Sequence, residues 1–337
     1  MPTELPEIVQ KTPVHVDLSV VVPVYNEQES LPAMHEALSK ALNPLGLCWE
    51  VIYVDDGSSD GSVALLKQYA AADPKVAVIC FRRNFGQTAA MAAGFEHARG
   101  EVVFPIDADL QNDPVDIARM LAKLNEGFDV VAGWREKRKD AFLTKTLPSR
   151  IANRLIGHVT GVPLHDYGCT LKAIRREVLQ DVHLYGEMHR FLPAFAHLAG
   201  ARITEMPVLH HARRWGTSKY TLSKTFRVIL DLITVRFLAA YATKPIYFFG
   251  RFSFWSFGIA TACMGWTLVN RFVGHIFVKD QPLFLVGIFF AIAGLQFLLF
   301  GLLAEMNMRT YYESQCKPTY FVRERLNCQA PERRRAS

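Results

Sequence analysis

"DLSVVVPVYNEQESLPAMHEALSKALNPLGLCWEVIYVDDGSSDG", residues 17 to 61, contains two apolar, β-branched runs on either side of an amphipathic segment. Continuous runs such as "DLSVVVPVY" and "WEVIYV" are typical of strands that are buried on both faces of a parallel sheet. The segment "EQESLPAMHEALSKAL" has the apolar spacing of a helix. A strand, a helix and a second strand in this order predict the first unit of an α/β fold.

The same alternation continues to about residue 135. Further strands are predicted at "KVAVICF", "GEVVFPIDAD" and "DVVAGWR", and further helices at "SVALLKQYAAAD", "GQTAAMAAGFEHA" and "PVDIARMLAKLNEG". The pattern predicts a mostly parallel sheet with helices on both faces, where ligands bind beyond the carboxyl ends of the strands. Polar clusters follow all of the predicted strands, in the order "YNE", "DDGSSD", "RRNFGQ", "DADLQ" and "REKR". We therefore expect one functional site along this edge.

The cluster "DADLQ" contributes Asp107, Asp109 and Gln111. Two carboxylates two residues apart, just past a strand, can share a divalent cation. Oxygen ligands of this kind suit Mg²⁺ or Mn²⁺, which usually also bind substrate phosphates. The other interpretation is a helix start, with Asp113 as the cap and Pro114 as the first helical residue. Both interpretations can hold, because the cap would leave the two earlier acids available.

Two uncharged apolar runs occupy residues 252–270 and 282–304. Each is close to the roughly 20 residues that span a bilayer core, so we predict two transmembrane helices, at about 250–272 and 282–304, rather than two buried core helices. The link between them is short, which predicts a hairpin. Basic residues flank the pair on both sides, and positive flanks mark the cytoplasmic side of a membrane. The first residues have no apolar stretch behind a basic start, so no signal peptide is predicted.

The net charge of +6 suits contact with anionic lipid, and no nucleic-acid-binding motif is present in the sequence. The 6 cysteines include no C-x-x-C pair, which favours reduced thiols and no zinc site.

Residues 222–245 have helical apolar spacing with interspersed basic residues, and we predict that they lie at the membrane interface. The predicted organisation is a flexible arm at 1–16, a catalytic domain at 17–221, interfacial helices at 222–245, transmembrane helices at 246–305 and a basic tail at 306–337.

Six stretches together resemble the family 2 glycosyltransferases, which have the GT-A nucleotide-sugar-binding fold. They are "VVPVYNEQESLP" (21–32), "VDDGSSDGS" (54–62), "RNFGQTAAMAAGFEHARGE" (83–101), "DADLQNDP" (107–114), "DYGCTLKAIRR" (166–176) and "GTSKY" (216–220). Within that family the chain looks like the polyprenyl-phosphate glycosyltransferases, which include dolichyl-phosphate mannose synthases. It is most similar to the undecaprenyl-phosphate transferases of the 4-deoxy-4-formamido-L-arabinose type. The resemblance extends over nearly the whole chain, including the two apolar runs.

The resemblance implies a role for each matching residue. Asp107, Asp109 and Gln111 would hold Mg²⁺ or Mn²⁺ at the donor diphosphate, and Asp109 and Asp166 occupy catalytic positions. Asp166 could act as a base, position the acceptor or balance an arginine. Basic residues near "RRWGTSKY" could close over the diphosphate or form a basic surface beside the membrane. The donor set that the resemblance implies is Pro23, Tyr25, Glu27, Asp55, Asp56, Asp107, Arg213, Arg214 and Lys219.

On the acceptor side, the resemblance implies that Arg135, Lys145 and Ser149 bind the lipid phosphate, with Arg138 and Arg150 as second choices. A solvated basic surface is the alternative for the basic residues of this stretch. His165 and His189 have no special feature in the sequence alone.

These roles imply an inverting, metal-dependent transfer of one sugar from a nucleotide donor, with UDP favoured, to undecaprenyl phosphate. The site would face the cytoplasm at the inner membrane, with both termini on that side, and would make a lipid-linked sugar for envelope glycan or lipid A modification.

A processive polysaccharide synthase is one alternative, but His211 stands where those enzymes have glutamine before "RRW", and two spans are few for a polymer channel. An inactive scaffold would have lost the metal acids, and a lipid transporter would carry ionisable groups in its spans. Small residues that allow close helix contact, and hence a homo-oligomer, are Gly258, Gly265, Gly294 and Gly301.

Overall fold

The computed structural model describes residues 15–136, 153–181 except 155, 158 and 159, 188–212, 246–314 and 320–328. The chain forms two compact units. One comprises Met1–Leu232 together with Pro318–Ser337, and the other comprises Ile233–Lys317. The domain boundaries expected from the sequence stay predictions, and the interfacial segment 222–245 and nearly all of the arm 1–16 lie outside the described residues.

The first unit is built on an 8-stranded sheet in the order β7-β5-β6-β4-β1-β2-β3-β8. The central strands β4, β1, β2 and β3 run parallel to one another, and β7 runs parallel to β5. Strands β6 and β8 run antiparallel to their neighbours. The strands are β1 (Leu18–Val24), β2 (Trp49–Asp55), β3 (Val76–Phe81), β4 (Val102–Pro105), β5 (Val130–Trp134), β6 (Lys172–Arg175), β7 (Ile203–Pro207) and β8 (Val322–Leu326). The expected α/β fold with a mostly parallel sheet is confirmed.

Helices cover both faces of this sheet and divide its core into two clusters. On one face, α1, α2 and α4 pack on side chains such as Val22, Tyr53 and Val78. On the other face, α3 packs on Val21, Ile52 and other side chains of alternate register. The helices of this unit are α1 (Leu31–Leu42), α2 (Ser62–Ala72), α3 (Gln87–His97), α4 (Asp116–Leu124), α5 (Arg176–Asp181) and α6 (Leu192–Leu198). Short 3-10 turns occupy Asn43–Leu45 and Met188–Phe191.

The helix starts differ from the sequence expectation at two points. Helix α1 begins at Leu31 because the preceding residues are held in a loop, where Asn26 has a positive φ of 55°. Helix α4 begins at Asp116, so the expectation that Pro114 is its first helical residue is wrong by two positions. The Asp113 carboxylate accepts a hydrogen bond from the Val115 amide at 3.1 Å.

The sequence patterns did not predict β6, β7 or β8. β8 has the sequence "VRERL", whose three charged residues do not resemble a buried strand. It is nevertheless paired with β3 at the edge of the sheet, where charged side chains are tolerated. Part of the segment expected to be a basic tail therefore belongs to the sheet of the first unit.

The second unit contains two long helices, α7 (Ile246–Phe272) and α8 (Pro282–Ser314), joined by a link with a 3-10 turn at Val278–Asp280. Within them, Tyr247–Phe272 and Pro282–Ala304 are long and apolar enough to cross a membrane, with mean hydropathies of 1.3 and 2.5. Large apolar side chains are exposed along both helices, such as Phe254 at 78% and Leu285 at 68%. A core helix of a soluble protein would bury such side chains. The two apolar helices expected from the sequence are confirmed as candidate membrane spans.

The helix pair is packed through small residues. A Cβ added to Gly294 would lie 3.2 Å from the Phe257 ring, and the Ser253 hydroxyl donates to the Gly294 carbonyl at 2.8 Å. A Cβ added to Gly258 or Gly265, in contrast, would meet nothing within 4 Å. Gly294 therefore serves contact within the chain, whereas Gly258 and Gly265 leave their helix surface open.

Candidate functional site

The loops after β1 and β2 are joined by hydrogen bonds from amides of the second loop to side chains of the first. The Asn26 carboxamide oxygen accepts from the Ser59 amide at 2.8 Å, and the Gln28 carboxamide oxygen accepts from the Gly61 amide at 2.8 Å. The expected donor residues Tyr25 and Glu27 lie in the first of these loops, and Tyr25 is 39% exposed. The two loops thus form one rim at the carboxyl edge of the sheet. Pro23, also in the expected donor set, lies within β1 opposite Val54.

The adjacent acids Asp55 and Asp56 hold two different loops. The Asp55 carboxylate accepts hydrogen bonds from the Gly57 and Ser58 amides at 3.2 Å. The Asp56 carboxylate accepts from the Phe85 amide at 2.6 Å and the Gly86 amide at 2.9 Å. Burial raises the pKa of both acids, and these amide hydrogen bonds oppose the rise. Both residues lie at the site edge, and both shape its loops.

Asp107 follows β4 and is held from two sides. The Gln87 amide group, at the first residue of α3, donates to one carboxylate oxygen at 2.7 Å. The Thr170 hydroxyl donates to the other oxygen at 2.7 Å. Burial, and then the neighbouring Asp109 charge, raise the pKa of Asp107 to about 6. The two acids are thus close enough to repel each other.

Asp109 and Gln111 belong to a tight turn. The Asp109 carboxylate accepts a hydrogen bond from the Gln111 amide at 3.1 Å, and Leu110 between them has a positive φ of 55°. A branched residue rarely adopts this conformation, which costs on the order of 1–3 kcal/mol and is common at ligand sites. The turn continues into a backbone contact in which the His211 amide donates to the Gln111 carbonyl at 2.8 Å.

Arg135, expected to bind the acceptor phosphate, is paired with Asp166, expected to be catalytic. The guanidinium donates through Nε at 2.7 Å and through a terminal nitrogen at 3.1 Å, which is a bidentate contact. The Asp166 side chain is 2% exposed, and the Gly168 amide also donates to it at 3.0 Å. Of the roles considered for Asp166, balancing an arginine is the one that this geometry matches.

Three residues that sequence reasoning did not assign, Thr170, Lys172 and His189, line one small cavity. Thr170 bonds to Asp107, and Lys172, 3% exposed, donates to the Cys169 carbonyl. Burial lowers the pKa of Lys172, which the charges of Asp166 and Asp107 oppose. His189 lies 2.7 Å from the Thr88 hydroxyl, at a cavity of about 10 Å³ that is near the minimum for a single water molecule. The only sequence signal for Thr170 and Lys172 is the string "DYGCTLKAIRR", which contributes to the family resemblance but assigns neither residue a role.

Five of the expected site residues are not part of the described structure. They are Lys145, Ser149, Arg213, Arg214 and Lys219. Their roles at the acceptor phosphate and the donor diphosphate stay predictions.

The oxygen atoms of Asp107 and Asp109 fit a divalent cation. They are hard ligands from two mutually repelling carboxylates, and two carboxylates completed by substrate phosphates are a usual set for Mg²⁺. Within the described residues, no group of three or more His, Cys, Asp and Glu side chains has the arrangement of a metal site. A cation at Asp107 and Asp109 would therefore need further ligands from the substrate, from water or from the side-chain carboxamide oxygen of Gln111.

Comparison with known proteins gives relatives along almost the full chain. The chain is 41% identical over 313 residues to dodecaprenyl-phosphate galacturonate synthase of Rhizobium johnstonii, covering 92% of this chain and 93% of that protein. It is 37% identical over 314 residues to undecaprenyl-phosphate 4-deoxy-4-formamido-L-arabinose transferase of Salmonella paratyphi B, covering 91% and 93%.

Among solved structures, the fold is similar to glucosyl-3-phosphoglycerate synthase from Mycobacterium tuberculosis in complex with Mn²⁺, UDP and phosphoglyceric acid. The TM-score is 0.53 at 19% identity, with 66% of this chain and 78% of that chain covered. At this identity the similarity concerns the fold alone. The family model described as "Glycosyl transferase family 2" matches residues 19–182. Together with relatives that are 41% and 37% identical along more than nine tenths of the chain, this match shows that the protein belongs to the family 2 glycosyltransferases.

Proposed function

We propose that this enzyme transfers one sugar from a nucleotide sugar, with UDP as the nucleotide, to a polyprenyl phosphate at the membrane surface. The observation that carries the proposal is that two pairs of charged side chains lie close together at one edge of the sheet. One is the repelling acid pair Asp107 and Asp109, and the other is the buried Arg135–Asp166 pair. The named relatives act on dodecaprenyl phosphate and undecaprenyl phosphate, which supports the choice of acceptor.

On the donor side, Asp107 and Asp109 would hold Mg²⁺ or Mn²⁺. The bound cation would neutralise negative charge on the leaving nucleoside diphosphate. Gln87 and Thr170 fix both oxygens of the Asp107 carboxylate, so the ligand is oriented before the donor binds. The rim formed by the β1 and β2 loops would then take the nucleoside.

On the acceptor side, Arg135 would bind the lipid phosphate with the donors that Asp166 leaves available. A guanidinium has five N–H donors. The contacts with Asp166 use Nε and one terminal nitrogen, so further N–H groups remain for a phosphate. Asp166 in this proposal is a positioning residue that orients Arg135.

The transfer would be a direct displacement that inverts the anomeric carbon. A phosphate monoester has a second pKa of about 6, so the acceptor is largely ionised at neutral pH and needs no general base. An acceptor phosphate oxygen forms a bond to the anomeric carbon as the bond from that carbon to the diphosphate oxygen breaks. The electron pair of the broken bond leaves with the nucleoside diphosphate.

The helix pair α7 and α8 would anchor the enzyme in the membrane where the acceptor resides. Tyr247–Phe272 and Pro282–Ala304 have the required length and hydropathy. Strand β8 follows the helix pair in the chain and pairs with β3 in the sheet of the first unit. The chain therefore leaves the first unit before the helix pair and returns to it afterwards. Two crossings would keep the segments before and after the helix pair on the same side of the membrane. In this proposal the catalytic unit and both termini lie on the cytoplasmic side.

The proposal is tested with membranes that contain the full chain, undecaprenyl phosphate and a panel of labelled nucleotide sugars. We expect one UDP-sugar to yield a lipid that carries a single sugar, identified by mass spectrometry, and the yield to fall to background with EDTA. Asp107→Asn and Asp109→Asn should abolish transfer, because each loses an anionic ligand. Asp113→Asn is the control in the same turn, since an amide oxygen can still accept from Val115.

Two results would contradict the proposal. Lipids that carry several sugars would indicate a processive synthase. Full transfer by both aspartate variants in EDTA would exclude the metal role.

A further inference from the structure

The segment Tyr320–Cys328, which follows the second apolar helix, is fastened to both faces of the sheet edge. Tyr320 stacks on Phe81 with ring centroids 4.9 Å apart and donates a hydrogen bond to Glu96 of α3. On the other face, Glu324 forms a salt bridge of 2.5 Å with Lys67 of α2. The Asn327 amide group donates to the Val76 carbonyl at 2.9 Å. The segment is thus an integral part of the first unit.

The same segment contacts the loop after β3 that Asp56 holds. The Arg82 amide donates to the Phe321 carbonyl at 3.0 Å, and the Phe321 and Phe85 rings have centroids 6.0 Å apart. The Phe85 amide in turn donates to Asp56 at 2.6 Å. The position of the segment is therefore linked through one loop to an expected donor residue.

A β-bulge sets the direction of Arg323. Cys80 pairs with Glu324 and Phe81 pairs with Val322, so Arg323 is the extra residue of β8. Bulges of this kind redirect a side chain and occur often beside functional sites. Arg323 here lines a cavity of about 120 Å³. Its lining includes Asp55, Ser58, Lys67, Arg82, Arg323 and Glu324.

The charges in this cavity leave two arginines available. Lys67 is paired with Glu324, whereas Arg82 and Arg323 form no salt bridge with any residue that the structure describes. The buried Asp55 carboxylate, on the same wall, is held by the Gly57 and Ser58 amides. The cavity is far smaller than the roughly 300–1,000 Å³ of a typical ligand pocket, so it suits one ring of a ligand and not a whole nucleotide sugar.

Strand spacing decides which part of the donor would reach this cavity. The metal acids follow β4, and Asp55 ends β2, two strands away in the order β4-β1-β2. Neighbouring strands lie about 4.8 Å apart, so the cavity wall at Asp55 is roughly 10 Å from the diphosphate position. The nucleoside end of the donor, and not its phosphates, therefore points to the cavity.

We infer that Arg323, from the segment that follows the second apolar helix, binds the base of the donor nucleotide together with Arg82. This inference rests on the proposed function and adds to it a donor residue from the far end of the chain. A guanidinium can stack on the plane of a base and donate to the carbonyl oxygens of a pyrimidine. The helix pair thus separates, in the sequence, two segments that complete one nucleotide site.

The test is calorimetric titration of the full chain in detergent with UDP and with uridine. Arg323→Ala should weaken both ligands by the same factor, about ten- to a hundredfold, because the lost contact is to the base. The KM for the lipid acceptor should stay unchanged. Arg325→Ala is the matched control. Arg325 has the same charge on the same strand, but it pairs with Ile79, whose side chain belongs to the cluster on the α3 face, and its loss should leave UDP affinity unchanged.

The possible failures are distinct. Equal UDP affinity in wild type and Arg323→Ala overturns the inference and leaves the proposed function intact. A loss confined to UDP, with uridine unaffected, assigns Arg323 to a phosphate and overturns the base contact. A wild-type chain that binds no UDP overturns the proposed donor and the inference with it.

Discussion

At the residue scale, the carboxylates of the site edge divide into two groups. Asp55 accepts hydrogen bonds from backbone amides of its own loop, Asp56 accepts them from the loop after β3, and Asp166 accepts them from the Arg135 guanidinium. Asp107 is instead held by two side chains beside a second acid. Backbone contacts shape loops, whereas an oriented pair of acids is suited to ligand binding. Substitutions in the two groups should therefore have different effects.

Asp166→Asn should weaken acceptor binding without affecting the donor. The variant keeps the size of the side chain but removes the charge that orients Arg135, so we expect the KM for polyprenyl phosphate to rise about tenfold, as for the loss of one charge-assisted hydrogen bond. UDP affinity should remain as in wild type. Arg135→Lys should raise the same KM, because lysine lacks the planar fork. In the double variant, the loss of acceptor-binding free energy should be smaller than the sum of the two single losses, since the residues act as one unit.

Asp129→Asn is the control for this pair, since the partly buried Asp129 carboxylate pairs at 3.3 Å with Arg202, whose side chain is 68% exposed. Arg135→Ala is a less informative variant. It leaves the Asp166 carboxylate buried without its cation, which costs about 3–5 kcal/mol. If Arg135→Lys lowers UDP affinity and leaves the KM for polyprenyl phosphate unchanged, Arg135 belongs to the donor half of the site.

His189 should make the stability of the first unit depend on pH. Burial, and then the charges of Arg190 and Lys172, lower the pKa of His189 to about 3. The unfolded state therefore binds more protons between about pH 6.5 and pH 3, and the free energy of unfolding falls as the pH drops through this range. The stability is complete above pH 6.5. At pH 5 the loss should be about 2 kcal/mol.

Unfolding of the full chain in detergent, followed between pH 7 and pH 5, measures this effect. His189→Gln should flatten the dependence, because glutamine can still bond to the Thr88 hydroxyl and does not titrate. His15→Gln, at a histidine whose side chain is 69% exposed, should leave it unchanged. An unaltered slope in His189→Gln would exclude His189 as the cause.

At the scale of elements, the helix pair α7 and α8 is held by close contacts at small residues. Gly294→Val should destabilise the pair by about 1–3 kcal/mol, because the new side chain would overlap the Phe257 ring. Gly265→Val should not affect the stability of a single chain, since its Cβ would meet nothing within 4 Å. Thermal unfolding of both variants in detergent gives the comparison. Equal unfolding temperatures would contradict the packing described for Gly294.

The Gly265→Val variant also tests whether chains associate. If the open surface at Gly258 and Gly265 is a contact between copies, this variant should dissociate an oligomer in size-exclusion chromatography without lowering stability. An unchanged elution position would show that these glycines are not part of such a contact.

At the scale of the whole molecule, the pairing of β8 with β3 constrains the path of the chain. Segments on both sides of the helix pair belong to one unit. The proposed membrane anchoring therefore requires an even number of crossings. We expect the link between the helices to lie on the opposite side from both termini. His275→Cys should react with a membrane-impermeant maleimide in intact cells. Ser337→Cys should react only after permeabilisation, and the chain without either substitution is the background. Labelling of both positions in intact cells would contradict this topology.

The sequence alone determined the features that depend on local pattern. The alternation of buried strands and amphipathic helices predicted the α/β class, because strand and helix periods are properties of neighbouring residues. The clusters after strands placed Asp107, Asp109 and Asp56 at one edge, since parallel strands share the direction of their carboxyl ends. Length and hydropathy identified the two apolar helices in the same way.

Only the tertiary structure decided which distant residues meet. The pairing of Arg135 with Asp166 joins positions 31 residues apart, and the Thr170–Asp107 contact joins positions 63 apart. β8 lies more than 200 residues from β3, and its sequence "VRERL" has no pattern of a buried strand. An edge strand is stabilised by backbone hydrogen bonds to its neighbour and keeps its charged side chains in water. Its place in the sheet therefore depends on a partner strand that no local pattern specifies.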